Sequence, residues 1–383
     1  MIVANLIAQV VFGLLAMAIA LPSMQEWGEL LGASQGQVQL TFSAYVVTYG
    51  GLQLIYGPWS DRVGRKPVLA FGLVVALVGA LVAATAGSIE QVIVGRLIQG
   101  CGAGASMVIS RSMVQDLYAP HERTRIMAYF GMSLGVCPPL ATILGGFNHV
   151  HFGWQSNFII VALLAVGLLV ALYRFPETRK PQSSGPRLSY RQGLTALSND
   201  TTYLRCLVIM AAGTSAFYCF LSGAPTVLGS YGVLPDGVGF FIMLGPSSYV
   251  IGNFLCTRLS SGIAPLRLLT IGHGITLLGI GGMLAGAWLG WHTPMGFAIP
   301  MIAVGIGHGL LMPVALARSV GAVPAVAGTA AAFAGTTQQT LGGLSGYLVG
   351  MISLADHTQL AALMLVFTLI AIWMNVRLLK ETW

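Results

Sequence analysis

Gly57-Pro-Trp-Ser-Asp-Arg-Val-Gly-Arg-Lys66 packs Asp61, Arg62, Arg65 and Lys66 into one short run. The stretches on either side, 37–59 and 67–86, contain no Asp, Glu, Lys or Arg. A bilayer core is about 30 Å thick, so a spanning helix needs ~20 mostly apolar residues at its 1.5 Å rise. The charged run is therefore a polar loop between two membrane-spanning helices. The same alternation repeats outward in both directions. Spans are expected near 3–23, 37–59, 67–86, 90–115, 124–147, 154–175, 202–223, 237–259, 265–289, 293–316, 325–350 and 357–379. The first lacks a basic leading segment and is followed by further spans, so it reads as a helix rather than a signal peptide.

Composition agrees with this reading. Only 8% of the 383 residues are charged, against roughly 25% in water-soluble domains, and 56% are hydrophobic. Lys and Arg fall on one set of loops. They include Arg62, Arg65, Lys66, Arg123, Arg125, Arg174, Arg179, Lys180, Arg187, Arg191, Arg258, Arg267, Arg377 and Lys380, with Arg111, Arg205 and Arg318 near span ends. The alternate loops hold Glu26, Glu29, Glu90, Asp236 and Asp356. Basic loops stay cytoplasmic, which places both termini in the cytoplasm of a bacterial inner membrane. The net charge of +7 is this topological bias, scattered over separate loops, and gives no nucleic-acid footprint. Cys101, Cys137, Cys206, Cys219 and Cys256 lie in or beside apolar spans without metal-ligand spacing, and read as small apolar filler.

The longest polar stretch, residues 176–200, divides the chain six spans from six. The expected fold is an all-α membrane protein of twelve transmembrane helices in two six-helix bundles. Residues 1–175 form the N-terminal bundle, 176–201 a cytoplasmic linker and 202–383 the C-terminal bundle. Glycine is abundant inside the spans, as in Gly100–Ala105 and Gly342–Gly346, and small residues let membrane helices approach closely. No nucleotide-binding loop, metal cluster or soluble domain is evident, so neither an enzyme nor a cofactor is expected.

Several groups invite a functional reading. Arg96, six residues after Glu90, sits inside an apolar run, where a charge is costly unless it meets a partner or a wet cavity. Either it couples proton and substrate movement, or it snorkels to the outer surface. All eleven acids lie at or near span ends or in loops. Glu26, with Glu29, could face an outward opening. His308, and less so His273, lie deeper, and an imidazole ordinarily titrates near physiological pH. Tyr45, Tyr49, Gln53 and Tyr56 recur at near-helical spacing and suit a cavity for planar or cationic compounds. Phe217, Tyr218, Phe220 and Gln338 are further lining candidates.

The run Gly57–Lys66 resembles the cytoplasmic loop signature of the major facilitator superfamily. The resemblance gives Gly57, Asp61, Arg62, Gly64, Arg65 and Lys66 to a cytoplasmic gate, with Asp61 facing basic partners across the two halves. Asp116 is a possible member of that charge network. Arg96-Leu-Ile-Gln-Gly100 resembles the superfamily's second motif. Gly131, Gly135, Pro138, Pro139, Gly145 and Gly146 resemble its antiporter motif, a bent helix that favours export. Ala44–Gly50, Arg111–Asp116, Phe175-Pro-Glu-Thr-Arg179, Leu311-Met-Pro313 and Ala327-Gly-Thr-Ala330 narrow the likeness to the Bcr/CflA group of drug:proton antiporters, EmrD-like members in particular. Many members of that group place an Asp just before the first-span Leu-Pro pair. Here the pair is Leu21-Pro22 and the matching position near Ala18 is apolar. The resemblance implies a monomer in the lipid bilayer that exports small amphipathic compounds against protons by alternating access. A narrow-specificity metabolite exporter or importer is the alternative. A receptor without transport is disfavoured by the gate signature.

Overall fold

The structure, a computed structural model, describes residues 2–179, 190–323, 326–352 and 356–380. Lys180 and Arg187 lie outside the described residues, as do the side chains of Arg191 and Ala327. The first six spans are α1 (Ile2–Ala18), α3 (Gln35–Gly51) continued by α4 (Gln53–Val63), α5 (Arg65–Ala84), α6 (Ile89–Leu117), α7 (Pro120–Phe152) and α8 (Gln155–Tyr173). A 3₁₀ turn, Pro22–Gln25, and the short α2 (Trp27–Leu30) follow α1. The next six are α10 (Thr201–Ser230), α11 (Pro235–Ile242) with α12 (Leu244–Leu259), α13 (Pro265–Trp288), α14 (Pro294–Ala298) with α15 (Pro300–Ala322), α16 (Ala327–Val349) and α17 (His357–Lys380). Among the described residues ten spans are long and apolar enough to cross a membrane by length and composition alone. The other two, α3–α4 and α16, carry more Gln, Ser, Thr and Gly; they complete the twelve. The expected polar linker also contains a helix, α9 (Tyr190–Ser198). It forms because Leu197 has apolar neighbours to bury itself among.

The chain forms two compact units. Residues 1–182 with 232–243 make the first, and 183–231 with 244–383 the second. α11 belongs with the first because Gly239 lies against the backbone of Ile143 on α7. A Cβ on Gly239 would come within 2.6 Å of the Ile143 nitrogen. Within each unit the seams follow the glycines. On α5 and α6, a Cβ at Gly95 would meet the Ala83 nitrogen at 2.7 Å. In the second unit, Gly272 of α13 faces the carbonyl of Gly307 of α15. Lipid tails are as apolar as leucine, so close van der Waals packing of small residues replaces the hydrophobic drive. Large side chains point outward instead. Leu163, Val170 and Leu278 are mostly exposed, as a lipid-facing surface requires. Trp288 and Trp291 sit at one end of α13, where amphipathic rings suit a membrane interface.

Candidate transport site

The loop between α4 and α5 is built around Gly64, whose φ of 122° is a left-handed conformation that L side chains rarely adopt. The turn aims the free backbone N–H groups that open α5 at one carboxylate. Glu177 Oε1 accepts from Arg65 N at 2.9 Å, and Glu177 Oε2 from Lys66 N at 3.1 Å. The same carboxylate accepts from the nitrogens of Thr178 and Arg179. Partial burial pushes the Glu177 carboxyl up, but these four N–H donors outweigh it and hold it below the usual glutamate range. Arg179 in turn donates to the Arg62 carbonyl. Arg65 pairs with Asp61 at 2.7 Å and with Asp116 at 2.9 Å, and donates to Ser60 Oγ at 2.6 Å. Lys66 Nζ reaches the Tyr173 carbonyl at 2.9 Å. The gate motif is thus one connected charge cluster that includes Asp116. Sequence reasoning quoted Phe175–Arg179 but missed that Glu177 closes the cluster. An acid beside proline after the sixth span was the available signal.

Arg96 does not snorkel. It is 2% exposed, and its fork points at the end of α1. Nη1 donates to the Ala16 carbonyl and to Gln99 Oε1, both at 2.6 Å. Nη2 donates to the Met17 carbonyl at 3.3 Å, and Nε to the Thr41 carbonyl at 3.4 Å. A continued helix would give Met17 O to the nitrogen of Leu21, but Leu21 N turns back to Ala18 O as the chain tightens toward Pro22. Arg96 takes the freed carbonyl. The guanidinium also lies over the Tyr45 ring, 4.1 Å from its centroid.

Tyr45 and Tyr49 do share a face, with stacked rings 5.8 Å apart. That face meets α1. Tyr45 is fully buried and donates its hydroxyl to Gly13 O at 2.7 Å, while Tyr49 lies against Gly13 and is 2% exposed. Gln53 is half-buried at the start of α4, and Tyr56 donates to Cys101 O. One open-sided cavity in this unit lies elsewhere, between α1 and α7. It measures about 470 Å³ and is lined by Ile7, Val11 and Leu15 from α1 and by Tyr129, Met132, Ser133, Val136, Cys137, Leu140, Ala141 and Leu144 from α7. Sequence reasoning did not single out these residues, because an apolar stripe facing a cavity reads like one facing lipid.

The antiporter-motif residues lie between or just beyond the lining residues on α7, and none of the six is itself in the cavity wall. Gly131 and Gly135 flank Ser133, and α7 runs on as a helix through buried Pro138 and Pro139. Each proline withholds one N–H from the helix ladder. Gly145 packs on the carbonyl of Ile19 beyond α1, and Gly146 on the carbonyl of Pro235 in α11. One turn further, His149 is 7% exposed and bonds Glu26 Oε2 at 2.8 Å through Nε2 and Ser23 Oγ at 3.1 Å through Nδ1. Asn157 of α8 donates to the same Ser23 oxygen and to Gly145 O. Glu26 was expected to matter; His149 was not, and at 123 positions apart no local spacing announces the pair.

In the second unit the candidates are aromatic rings, amides and imidazoles. Tyr218 donates to Gln339 Oε1 at 2.7 Å, and Gln338 donates to Thr214 Oγ1 at 3.4 Å, joining α10 to α16. Phe217 stands edge-on to His308 with centroids 6.1 Å apart. His308 and His273 are each 3% exposed, and one ring nitrogen of each lacks a partner among the described residues.

A polytopic carrier scaffold, with a charged latch between its second and third spans and no catalytic constellation among the described residues, is the class that fold and site define. Residues 2–347 match the Major Facilitator Superfamily, and the chain belongs to it. It is 30% identical to the Multidrug resistance protein D of Escherichia coli K12, covering 96% of this chain and 93% of that one. It is also 30% identical to a Chloramphenicol resistance protein of Pseudomonas aeruginosa, over 83% and 76% of the two chains, and 28% identical to a Bicyclomycin resistance protein homolog of Haemophilus influenzae, over 86% and 83%. These relatives place it in the Bcr/CflA group. A bacterial homologue of the human lysosomal transporter Spinster, in an inward-facing and unoccupied conformation, shares the fold with a TM-score of 0.79 at 13% identity, covering 100% of this chain and 98% of that one. A D-xylose–proton symporter does so at 0.76 and 15%, covering 97% and 96%. The chain is a membrane transporter and not an enzyme.

Proposed function

We propose that this protein is a proton-driven exporter of small amphipathic compounds in a bacterial inner membrane, with both termini cytoplasmic. It works as a monomer by alternating access of an N-terminal bundle (1–175) and a C-terminal bundle (202–383) joined by a linker (176–201). The observation that carries the reading is the α1–α7 cavity. Its volume suits a drug-sized molecule, its walls are almost wholly apolar, and Tyr129 and Ser133 offer it hydroxyls. Resistance to chloramphenicol and bicyclomycin among the named relatives supports compounds of that size and polarity. Asp61, Arg65, Asp116 and Glu177 act as the cytoplasmic latch. Tyr45 and Tyr49 support α1 from behind, and Phe217, Tyr218 and Gln338 supply the second bundle's contribution.

Purified protein in liposomes tests this directly. An imposed pH gradient is expected to drive accumulation of chloramphenicol and of at least one unrelated lipophilic dye. Saturable movement of a single metabolite with indifference to both probes would overturn the reading in favour of a narrow-specificity carrier.

A further inference from the structure

We propose that Glu26 and His149 form the proton-exchange site of this transporter, and that Ser23 and Gly145 pass its charge state to the backbone of α1 and α7. The proposal rests on the proton-coupled reading above. Geometry singles the pair out. Glu26 is 44% exposed at its side chain and His149 only 6%, so a proton can arrive from water at the carboxylate and be held on a sheltered imidazole 2.8 Å away.

Ser23 makes the charge state mechanical. With a neutral ring, Nε2–H donates to the Glu26 carboxylate and Nδ1 must accept, so the Ser23 hydroxyl donates to it. The same oxygen already accepts from Asn157 Nδ2 at 3.1 Å. Adding one proton puts hydrogens on both ring nitrogens. Nδ1 then donates, and Ser23 must accept from both His149 and Asn157 and turn its own hydrogen elsewhere. Ser23 belongs to the turn that ends α1, and Asn157 also holds the carbonyl of Gly145, the residue whose Cα packs on the Ile19 carbonyl. No side chain cushions that contact. The other charged or titratable groups at this end of the packed elements are Glu29 on α2, Asp236 at the start of α11, His151 on α7, and Glu90 and Arg96 on α6, Glu90 accepting from Gln37; Arg111, Asp116, Glu122, Arg123 and Arg125 lie toward the opposite ends of α6 and α7. His151 turns to the Phe147 carbonyl, and Arg96 is committed to α1.

The test compares wild type, Glu26→Gln and His149→Gln in proteoliposomes loaded with chloramphenicol. Two assays are run: accumulation driven by an imposed pH gradient, and counterflow at equal pH, which needs no net proton movement. Gradient-driven accumulation is expected to fall at least tenfold in both variants, while counterflow keeps at least half its rate and loses its dependence on bulk pH. Glu26→Gln keeps shape and a hydrogen-bonding side chain at a half-exposed position, so it reports even where His149→Gln fails to fold. If the gradient drives wild type and Glu26→Gln equally, the pair is not the exchange site. Equal loss of both assays in Glu26→Gln reduces it to a structural tie, again against the proposal. A wild type that counterflows but ignores the gradient defeats proton coupling itself, and the pair's role with it.

Discussion

One buried polar group of the first unit and two of the second are met in opposite ways. In the first, Arg96 is a permanent charge, and every nitrogen of its fork has an oxygen: three backbone carbonyls and Gln99. In the second, His308 and His273 are buried just as deeply, yet each leaves a ring nitrogen unmet among the described residues. Burying an unpaired charge is prohibitive, whereas a neutral imidazole missing one hydrogen bond costs only a few kcal/mol at most. The difference teaches that burial alone does not mark a working charge. Arg96 is bonded as a clasp on the end of α1, the two histidines are packed without a bonded carboxylate among the described residues, and the exchangeable proton proposed above sits where an imidazole meets a carboxylate near water.

The sharpest way to break this comparison is to remove the clasp. Arg96→Met leaves Ala16 and Met17 carbonyls buried without donors, at about 1–3 kcal/mol each. A large drop in the thermal unfolding midpoint in detergent is expected, with transport abolished. Arg96→Lys retains a charge but not a planar fork, and is expected to unfold several degrees early and to lose at least tenfold in transport. A Lys variant with wild-type stability and flux would show that the carbonyl clasp is dispensable.

A second test separates cavity from clasp within the same unit. Val136 is exposed at the α7 wall of the cavity, opposite α1. Val136→Trp should fill much of the 470 Å³ and cut chloramphenicol transport about tenfold, with an unfolding midpoint near that of wild type. Tyr49→Ala should do the reverse, because Tyr49 packs on Gly13 and is absent from the cavity lining. It should lower stability by about 3–5 kcal/mol, the cost of an aromatic cavity, and leave affinity within twofold. Direct binding to purified protein checks both, and an affinity loss confined to Tyr49→Ala would return the binding surface to the second span.

The latch gives a smaller, pH-signed effect. Glu177 is held below the ordinary glutamate value in the folded protein. Its contribution is therefore fully present above the unfolded value of about 4.3 and is lost as pH falls through the lower folded one. Thermal midpoints recorded from pH 7 to pH 3 should show wild type losing an increment that Glu177→Gln never had. Turnover of Glu177→Gln at pH 7 should fall a few-fold, since an amide is a poorer acceptor for four N–H groups. Parallel midpoint curves for the two proteins would remove Glu177 from the latch.

Much of this arrangement was legible in the sequence, and what was not has one physical cause. Spans follow from hydrophobic length, so all twelve were recovered, even the less apolar α3–α4 and α16, because charged loops bracketed them; the ends were less legible, α10 running to Ser230 and α15 to Ala322, beyond the expected 223 and 316. The gate could be read because Gly64, Arg65 and Lys66 are neighbours whose local turn is the motif. Pairings made by tertiary approach were hidden. Glu177 bonds residues 111 and 112 positions away, and His149 meets Glu26 across 123. Tyr45 and Tyr49 show the complementary case: near-helical spacing put them on one face, but that this face packs on α1 depends on Gly13, thirty-two residues before Tyr45. The histidines at 273 and 308 were conspicuous for their residue type alone.

The smallest expected effect tests those histidines. His308 is hemmed in by Phe217 at 6.1 Å and by Gly213, with no acid bonded to its ring among the described residues. Nothing bonded to the ring among the described residues can hand it a proton, so it has no part in the proton exchange proposed above. His308→Gln fills similar space without the ability to titrate. Gradient-driven chloramphenicol accumulation should stay within twofold of wild type, and the pH profile should not change shape. His273→Gln should behave alike, and the double variant should add no further loss. A pH profile that flattens in His308→Gln while Glu26→Gln remains coupled would move the exchangeable proton from the first unit into the second. It would also reverse the contrast drawn here, making the unmet nitrogen the working group and the fully bonded pair its support.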